Sequence, residues 1–411
     1  MSQHRFLFIL PFYPWPLVSG GHQAVFNGIR SVVGFADVHL VYYAGQRETN
    51  SRYDSILKEQ LGGNVSIHHY VDKVGKWAKD MAFRKISNKI SKRMDYPSYF
   101  IHAIKLHDEA FYDYVNNLIE TYQIDLVQVE MVQNLDFILT LPDTVKTVFV
   151  HHELCFVRNQ QYVARMGGNS YIKALYEREK IDEIALLNRY DMVMTLSEID
   201  KEKLKEACVT APIFASFGIV NTKLAALSDS GAGSHRAVYV GPEAHYPNKL
   251  GLMWFMDNVW PLVKERDEAF SLDIVGRWSP ATVSEWSRKY KDVHFLGFVD
   301  DLPSALKGGT MIVPIRVGSG IRMKILEAMS LGVPFVSTVV GAEGIPVKDG
   351  IHGFITDDPA VFADRIIKAE DPDIRKQFIA KGIQLIREHY SEEALIENKK
   401  NAYRQLLGTI C

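Results

Sequence analysis

The chain has 411 residues, 47% of them apolar and 23% charged, a composition that suits a soluble globular protein of more than one domain and excludes a small disulfide-stapled scaffold. Against 47 Lys and Arg stand 49 Asp and Glu, a formal charge of −2 that excludes the broad basic excess of a general nucleic-acid binder. Three widely spaced cysteines (Cys155, Cys208 and Cys411) offer no disulfide framework and suit reduced thiols in the cytoplasm.

The first apolar run, Phe6 to Leu10, stops at Pro11 and is too short for a signal-peptide core or a spanning helix. It reads as the first buried strand of a sheet. Further strands are predicted at Val38–Tyr43, Asp125–Glu130, Thr147–His151 and Asp191–Leu196, with helices over Ile101–Tyr122 and Ile172–Arg189 between them. A polar Gly/Ser stretch, Ser228 to Ser234, reads as a linker. The pattern then restarts with strands at Arg236–Gly241, Ser271–Gly276, Val293–Leu296, Thr310–Pro314 and Pro334–Ser337. Strands alternating with helices imply parallel sheets, so the expected fold class is α/β with two Rossmann-like, doubly wound domains. The predicted boundaries are 1–225 and 226–390, with a C-terminal helix in 391–411. No later run reaches ~18 uninterrupted apolar residues.

Open sheets of this kind bind ligands beyond the carboxyl ends of their strands, so the residues just after each strand are the candidates. After Thr310–Pro314 comes a loop with Arg316, Gly318, Ser319 and Gly320, and then a helix carrying Arg322, Lys324 and Glu327. Glycines allow close backbone approach, a helix N-terminus favours an anion, and three cations cluster at the same end. Lys324 and Glu327 are three residues apart and share a helix face. This is the pattern of a diphosphate site with one carboxylate for a vicinal diol. A plain structural turn with an exposed charged helix is the competing explanation, and Met323 stands where a dinucleotide fingerprint needs its third glycine.

The segment Leu326-Glu327-Ala328-Met329 with Gly332-Val333-Pro334 resembles the donor-binding signature of family 4 (group 1) retaining glycosyltransferases, enzymes of the GT-B fold. That signature has a first glutamate separated from the second by seven intervening residues, where this chain has Ser319. It is similar to a subgroup with Gly-x-Gly-x-x-x-Lys-x-x-Glu. The resemblance implies that Glu327 holds the nucleotide ribose, that Lys324 acts at the reacting centre, and that Arg316, Gly318, Ser319, Gly320 and Arg322 bind the donor. It extends to the Gly20-Gly21 pair near the donor phosphates, to Gly241 opening the second domain, and to Phe298 in a segment whose backbone reads the base. The usual Arg/Lys phosphate clamp after Gly241 is replaced by Pro242, Pro247 and Asn248, with Lys249 as its substitute.

In Val150-His151-His152-Glu153, two histidines and an acid follow a strand. Imidazole can bond a sugar hydroxyl or phosphate and titrates near neutrality. The resemblance implies a His–acid pair beside the donor sugar, best matched by His152 with Glu153, and His151 second; a strand-end histidine that only caps backbone is the alternative. Glu179 and Ser197 resemble recurrent family positions of architectural type. Asp371-Pro372-Asp373 reads as a helix cap rather than a metal motif, so no metal is expected. Between Lys73 and Arg93, eight basic residues interleave with Trp77, Met81, Ile86 and Ile90 at near-helical spacing. Such a face suits anionic lipid or a lipid-linked acceptor, or an ordinary surface helix.

Taken together, the resemblance implies a retaining, metal-independent glycosyltransferase without a cofactor. A nucleoside diphosphate-sugar donor would bind the second domain, and a glycan or lipid-linked acceptor the first. The expected setting is the cytoplasm or the inner face of the membrane, in polysaccharide assembly. A nucleotide-sugar epimerase of related fold and a non-catalytic sugar-nucleotide binder are the alternatives.

Overall fold

The computed structural model describes residues 4–43, 50–71, 102–104, 109–166, 169–216, 233–318 and 321–408. The basic stretch Lys73 to Arg93, Ser319, Gly320 and Cys411 lie outside them. The chain divides into two compact units, Met1–Gly218 with Leu395–Cys411, and Ile219–Ala394.

The first unit is built on seven parallel strands: β1 (His4–Leu10), β2 (Ala36–Tyr43), β3 (Val65–Tyr70), β4 (Leu126–Glu130), β5 (Lys146–His151), β6 (Met192–Thr195) and β7 (Ile213–Ala215). Their order is β3-β2-β1-β4-β5-β6-β7. Alternate residues of each central strand point to opposite faces, and both faces are covered, so the strands read as unbroken apolar runs. Leu7, Ile9, Val127, Val129 and Phe149 belong to one core. Phe6, Phe8, Leu126, Val148 and Val150 belong to the other, with Ala402 and Tyr403 of the C-terminal helix Glu392–Leu407.

The second unit has β8 (Arg236–Val240), β9 (Ser271–Val275), β10 (Val293–Gly297), β11 (Thr310–Val313), β12 (Phe335–Ser337) and β13 (Phe354–Ile355). Their order is β10-β9-β8-β11-β12-β13. Ala237, Val238 and Tyr239 are all fully buried, as a central strand between two helix layers requires. In each unit the order reverses beside the first strand, between β1 and β4 and between β8 and β11. The carboxyl ends at those two points are the binding crevices of doubly wound sheets.

Where a helix is expected from Ile101 to Tyr122, the described helix is Glu109–Tyr122. Upstream of it, His102 Nδ1 and the Ala103 amide instead bond the carboxylate of Glu179, at 2.6 and 3.0 Å. Glu179 and Ser197 do architectural work, the latter by capping helix Glu198–Glu206. Asp371 caps helix Pro372–His389 through the amides of Asp373 and Ile374. Cys155 is buried and Cys208 exposed, both as free thiols. No helix among the described residues is long and apolar enough to cross a membrane.

Candidate functional site

In the second unit the site grows from the end of β8. Gly241 has φ +156°, and a Cβ there would lie 2.6 Å from Asn248 Nδ2, so only glycine lets the chain pass. The neighbouring strand end is as tight: a Cβ at Gly276 (φ +130°) would lie 2.5 Å from the Gly241 carbonyl oxygen. Asn248, on helix Tyr246–Asn258, donates from Nδ2 to the Pro242 carbonyl at 3.2 Å. On the other side of the reversal, the chain leaving β11 is pressed close by two more glycines. Cβ atoms at Gly251 and Gly341 would sit 2.5 Å from Pro314 O and 2.6 Å from Val313 O. Gly318 closes the loop at φ +112°.

In the helix that follows, Met323–Ser330, the N-cap residue Arg322 makes no side-chain cap bond. Lys324, in its first turn, reaches across the reversal. Its Nζ donates to the Val240 carbonyl at 2.6 Å and to Asn248 Oδ1 at 3.1 Å, and lies 4.9 Å from the centre of the Tyr239 ring. Desolvation by burial, with the Arg322 guanidinium second, pushes this ammonium down to about 7, against the pull of Glu327. Two of the Arg322 guanidinium nitrogens, Nε and Nη2, are shut off from solvent. Lys324, Arg322 and Glu327 therefore share one electrostatic environment at the β8–β11 reversal.

Arg316 is turned elsewhere. Its guanidinium lies 4.7 Å from the Trp254 ring centre and 3.6 Å from Asp357 Oδ1. Lys249, the expected substitute for the clamp, pairs with Glu243 at 2.8 Å. Against desolvation, the Lys249 bond and donors from Ser279 and Thr282 hold the Glu243 carboxylate down to about 2. Phe298 follows β10 as a half-exposed ring with the Arg277 guanidinium 5.8 Å from its centre.

In the first unit the two adjacent histidines part company. His151 ends β5 with its side chain wholly buried, and its Nε2 donates to Glu183 Oε1 at 2.7 Å. That carboxylate also accepts from the amides of Cys155 and Phe156, tying down the start of helix Cys155–Met166. His151 is thus enclosed as a structural link, which corrects its reading as a second catalytic candidate. His152 remains partly exposed, and its acid is Glu130, 2.6 Å away, rather than Glu153. Glu153 pairs with Arg158 at 3.0 Å.

Glu130 is the last residue of β4, nearly fully buried at the β1–β4 reversal. The glycine pair flanks the same strand end. Gly20 and Gly21 open helix Gly20–Arg30, which Ser19 caps by accepting from the His22 amide. The His22 ring stacks on Phe12 at 4.2 Å, and a Cβ at Gly21 would lie 3.3 Å from Met131 Cε. Glu130 belongs to no motif in the sequence, and Asn248 stands there only in place of the missing clamp. The available signal for Glu130 was an acid two residues after Gln128, on one face of a strand otherwise apolar on both. Among the described residues no cluster of three or more His, Cys, Asp or Glu is placed to hold a metal ion.

Residues 234–371 match the family model described as Glycosyl transferases group 1. A Klebsiella pneumoniae relative, an uncharacterized 44.6 kDa protein in the cps region, is 25% identical over 162 residues. That stretch covers 37% of this chain and 42% of the relative's length. Anabaena HepE, solved in complex with UDP-glucose, superposes with a TM-score of 0.66 at 13% identity, over 98% of this chain and 99% of its own. A mutant of S. aureus TarM, in complex with fondaparinux, α-GlcNAc-glycerol and UDP, gives a TM-score of 0.69 at 13% identity, over 97% and 99%. At these identities the likeness shows the fold, which is that of the GT-B glycosyltransferases.

Proposed function

We propose that the protein is a retaining, metal-independent glycosyltransferase that moves a sugar from a nucleoside diphosphate-sugar to a glycan or lipid-linked acceptor. The observation that carries this reading is the cationic pair Lys324 and Arg322. It stands at the β8–β11 reversal, within the segment that matches the group 1 glycosyl transferases. Two solved structures of similar fold hold UDP or UDP-glucose, which supports a uridine nucleotide as the first donor to try.

Cleaving the bond between the anomeric carbon and the diphosphate oxygen leaves negative charge on the diphosphate. Lys324 is already desolvated and costs little reorganisation when that charge develops, so it favours the transition state over the ground state. Arg322 adds a second fixed positive charge, and Glu327 is assigned to the ribose hydroxyls. His152, held at Nε2 by Glu130, has Nδ1 as its other polar atom and bonds a hydroxyl of the transferring sugar. Same-face substitution needs no covalent nucleophile. The acceptor oxygen bonds the anomeric carbon on the side the diphosphate leaves, and the acceptor proton passes to the departing phosphate oxygen.

A role in cell-surface polysaccharide assembly, in the cytoplasm or on the inner face of the membrane, completes the reading. For the membrane, flotation with anionic liposomes tests the contact assigned to Lys73 through Arg93; no co-flotation at low salt removes it. For the reaction, the full chain is incubated with a panel of nucleotide sugars, with and without glycan acceptors, in the presence of EDTA. Nucleotide release that depends on an acceptor supports transfer. A new sugar nucleotide formed without an acceptor would make the protein an epimerase, and binding without turnover would make it a non-catalytic binder.

A further inference from the structure

Behind His152 runs a line of buried polar side chains where a doubly wound sheet normally has only apolar ones. Glu130 Oε2 accepts from His152 Nε2 at 2.6 Å, and Glu130 Oε1 accepts from Gln128 Nε2 at 2.5 Å. Gln128 Oε1 in turn accepts from the hydroxyl of Tyr403. Gln128 and Tyr403 are fully buried, and Glu130 is 1% exposed. Gln128 and Glu130 are two residues apart on β4, so both point to the face covered by the C-terminal helix, where Tyr403 packs edge-on against Phe6 with ring centres 5.0 Å apart.

A cation stands beside this line. Lys399, one turn before Tyr403 on the same helix, donates from Nζ to the Gly28 carbonyl at 3.1 Å. A Cβ at Gly28 would lie 3.4 Å from Lys399 Nζ and 3.9 Å from Glu130 Oε1, so ammonium and carboxylate are near neighbours. The C-terminal helix, some 270 positions along the chain from β4, therefore supplies a counter-charge to the acid that grips His152 and a hydrogen bond to the Gln128 amide behind that acid.

We infer that Gln128 and Tyr403 are positioning residues for His152, acting through Glu130, so that the C-terminal helix sets which nitrogen of the catalytic imidazole carries its proton. An ionised Glu130 accepts from Nε2–H, leaving Nδ1 as the ring atom that meets a substrate hydroxyl. Gln128 matters because it fixes the carboxylate rotamer: its amide donates to one oxygen, so the other is aimed at His152. Tyr403 matters because its hydroxyl occupies the Gln128 carbonyl oxygen, which fixes the amide with its NH2 toward Glu130. A side-chain amide buried without both partners would lose that orientation. The catalytic consequence rests on the reading of His152 given above; the ring state does not.

The test is a long-range proton–nitrogen spectrum of the full chain labelled with 15N-histidine, His152 being assigned by its absence in His152→Gln. Tyr403→Phe keeps the ring on Phe6 and removes only the hydroxyl, and Glu130→Gln removes the acceptor charge. Wild type should show His152 protonated at Nε2. Both substitutions should move its ring-nitrogen signals toward a mixture of tautomers, Glu130→Gln more than Tyr403→Phe, and turnover should fall in the same order. Signals unmoved by Tyr403→Phe in a folded protein, or a wild-type ring protonated only at Nδ1, would overturn the inference. If Tyr403→Phe does not fold, Gln128→Met, which removes both amide bonds at similar volume, reads the same link with the same two outcomes. Ring signals that respond in a protein with no transferase activity would uphold the positioning chain and sink the transferase reading, so the two failures are separable.

Discussion

In the first unit, His152 is the partly exposed end of a chain of fixed side chains, each hydrogen bond of which constrains the next. In the second unit, Lys324 is held by one backbone carbonyl and one amide oxygen, with Arg322 raising the local positive potential. Both groups occupy a reversal of strand order at the carboxyl ends of a parallel sheet. One is pre-oriented by neighbours of complementary charge; the other is kept in surroundings that disfavour its own charge. An oriented, satisfied imidazole suits the placing of a hydroxyl, and a desolvated cation suits an incoming diphosphate that relieves its isolation. The same topology thus places two polar groups in opposite electrostatic surroundings.

The largest effect that could break this contrast is on turnover. His152→Ala is expected to lower kcat by about 100-fold or more, in line with the loss of a bond that positions the transferring sugar at the reacting centre. UDP affinity, measured by calorimetry, should change by less than about twofold, well below the loss of one charged hydrogen bond. Next comes Lys324→Met, expected to weaken UDP binding by about 10- to 100-fold, the size of a lost charge-assisted bond. The pH dependence carries a definite sign. The free Lys324 ammonium loses its proton around pH 7, and a bound diphosphate pulls its pKa up. UDP binding should therefore take up a proton above pH 7 and weaken as pH rises, a dependence that Lys324→Met abolishes. Proton uptake is measured by repeating the calorimetry in buffers of different ionisation enthalpy.

Glu327→Ala should weaken UDP binding by about 5- to 10-fold, as for one bond to a charged acceptor, and unchanged affinity would remove the ribose assignment. The smallest effect lies away from both sites. Burial, with His39 second, pushes the His68 imidazole down to about 4. The two rings stack in parallel, 5.3 Å apart. Because the unfolded chain binds a proton near pH 6.5 and the folded one near 4, stability should fall as pH drops through that window. Denaturant melts at pH 7 and pH 5 measure the loss, which His68→Gln should reduce.

The strands that the sequence exposes are those buried on both faces. Phe6 to Leu10 and Asp125 to Glu130 stand out because helices cover both sides of the central sheet. β3 reads Val-Ser-Ile-His-His-Tyr, an edge strand with partly buried polar residues, and gives no continuous run. β13 has only two residues, too few for any periodicity. Lys324, Arg322 and Glu327 were legible because local spacing on one helix determines their neighbourhood. Arg316 was not, since its partners Trp254 and Asp357 come from distant segments. Glu130 escaped for the same reason: its role is set by His152, 22 residues on, and by Tyr403 at the far end of the chain.

The division of labour between the two reversals is tested most directly by one calorimetric series: UDP titrated into the full-length wild type, Lys324→Met and His152→Ala. Binding by the wild type, near-equal binding by His152→Ala, and at least about tenfold weaker binding by Lys324→Met are expected. Equal weakening in both variants, or a wild type that binds neither UDP nor GDP titrated in its place, would contradict it.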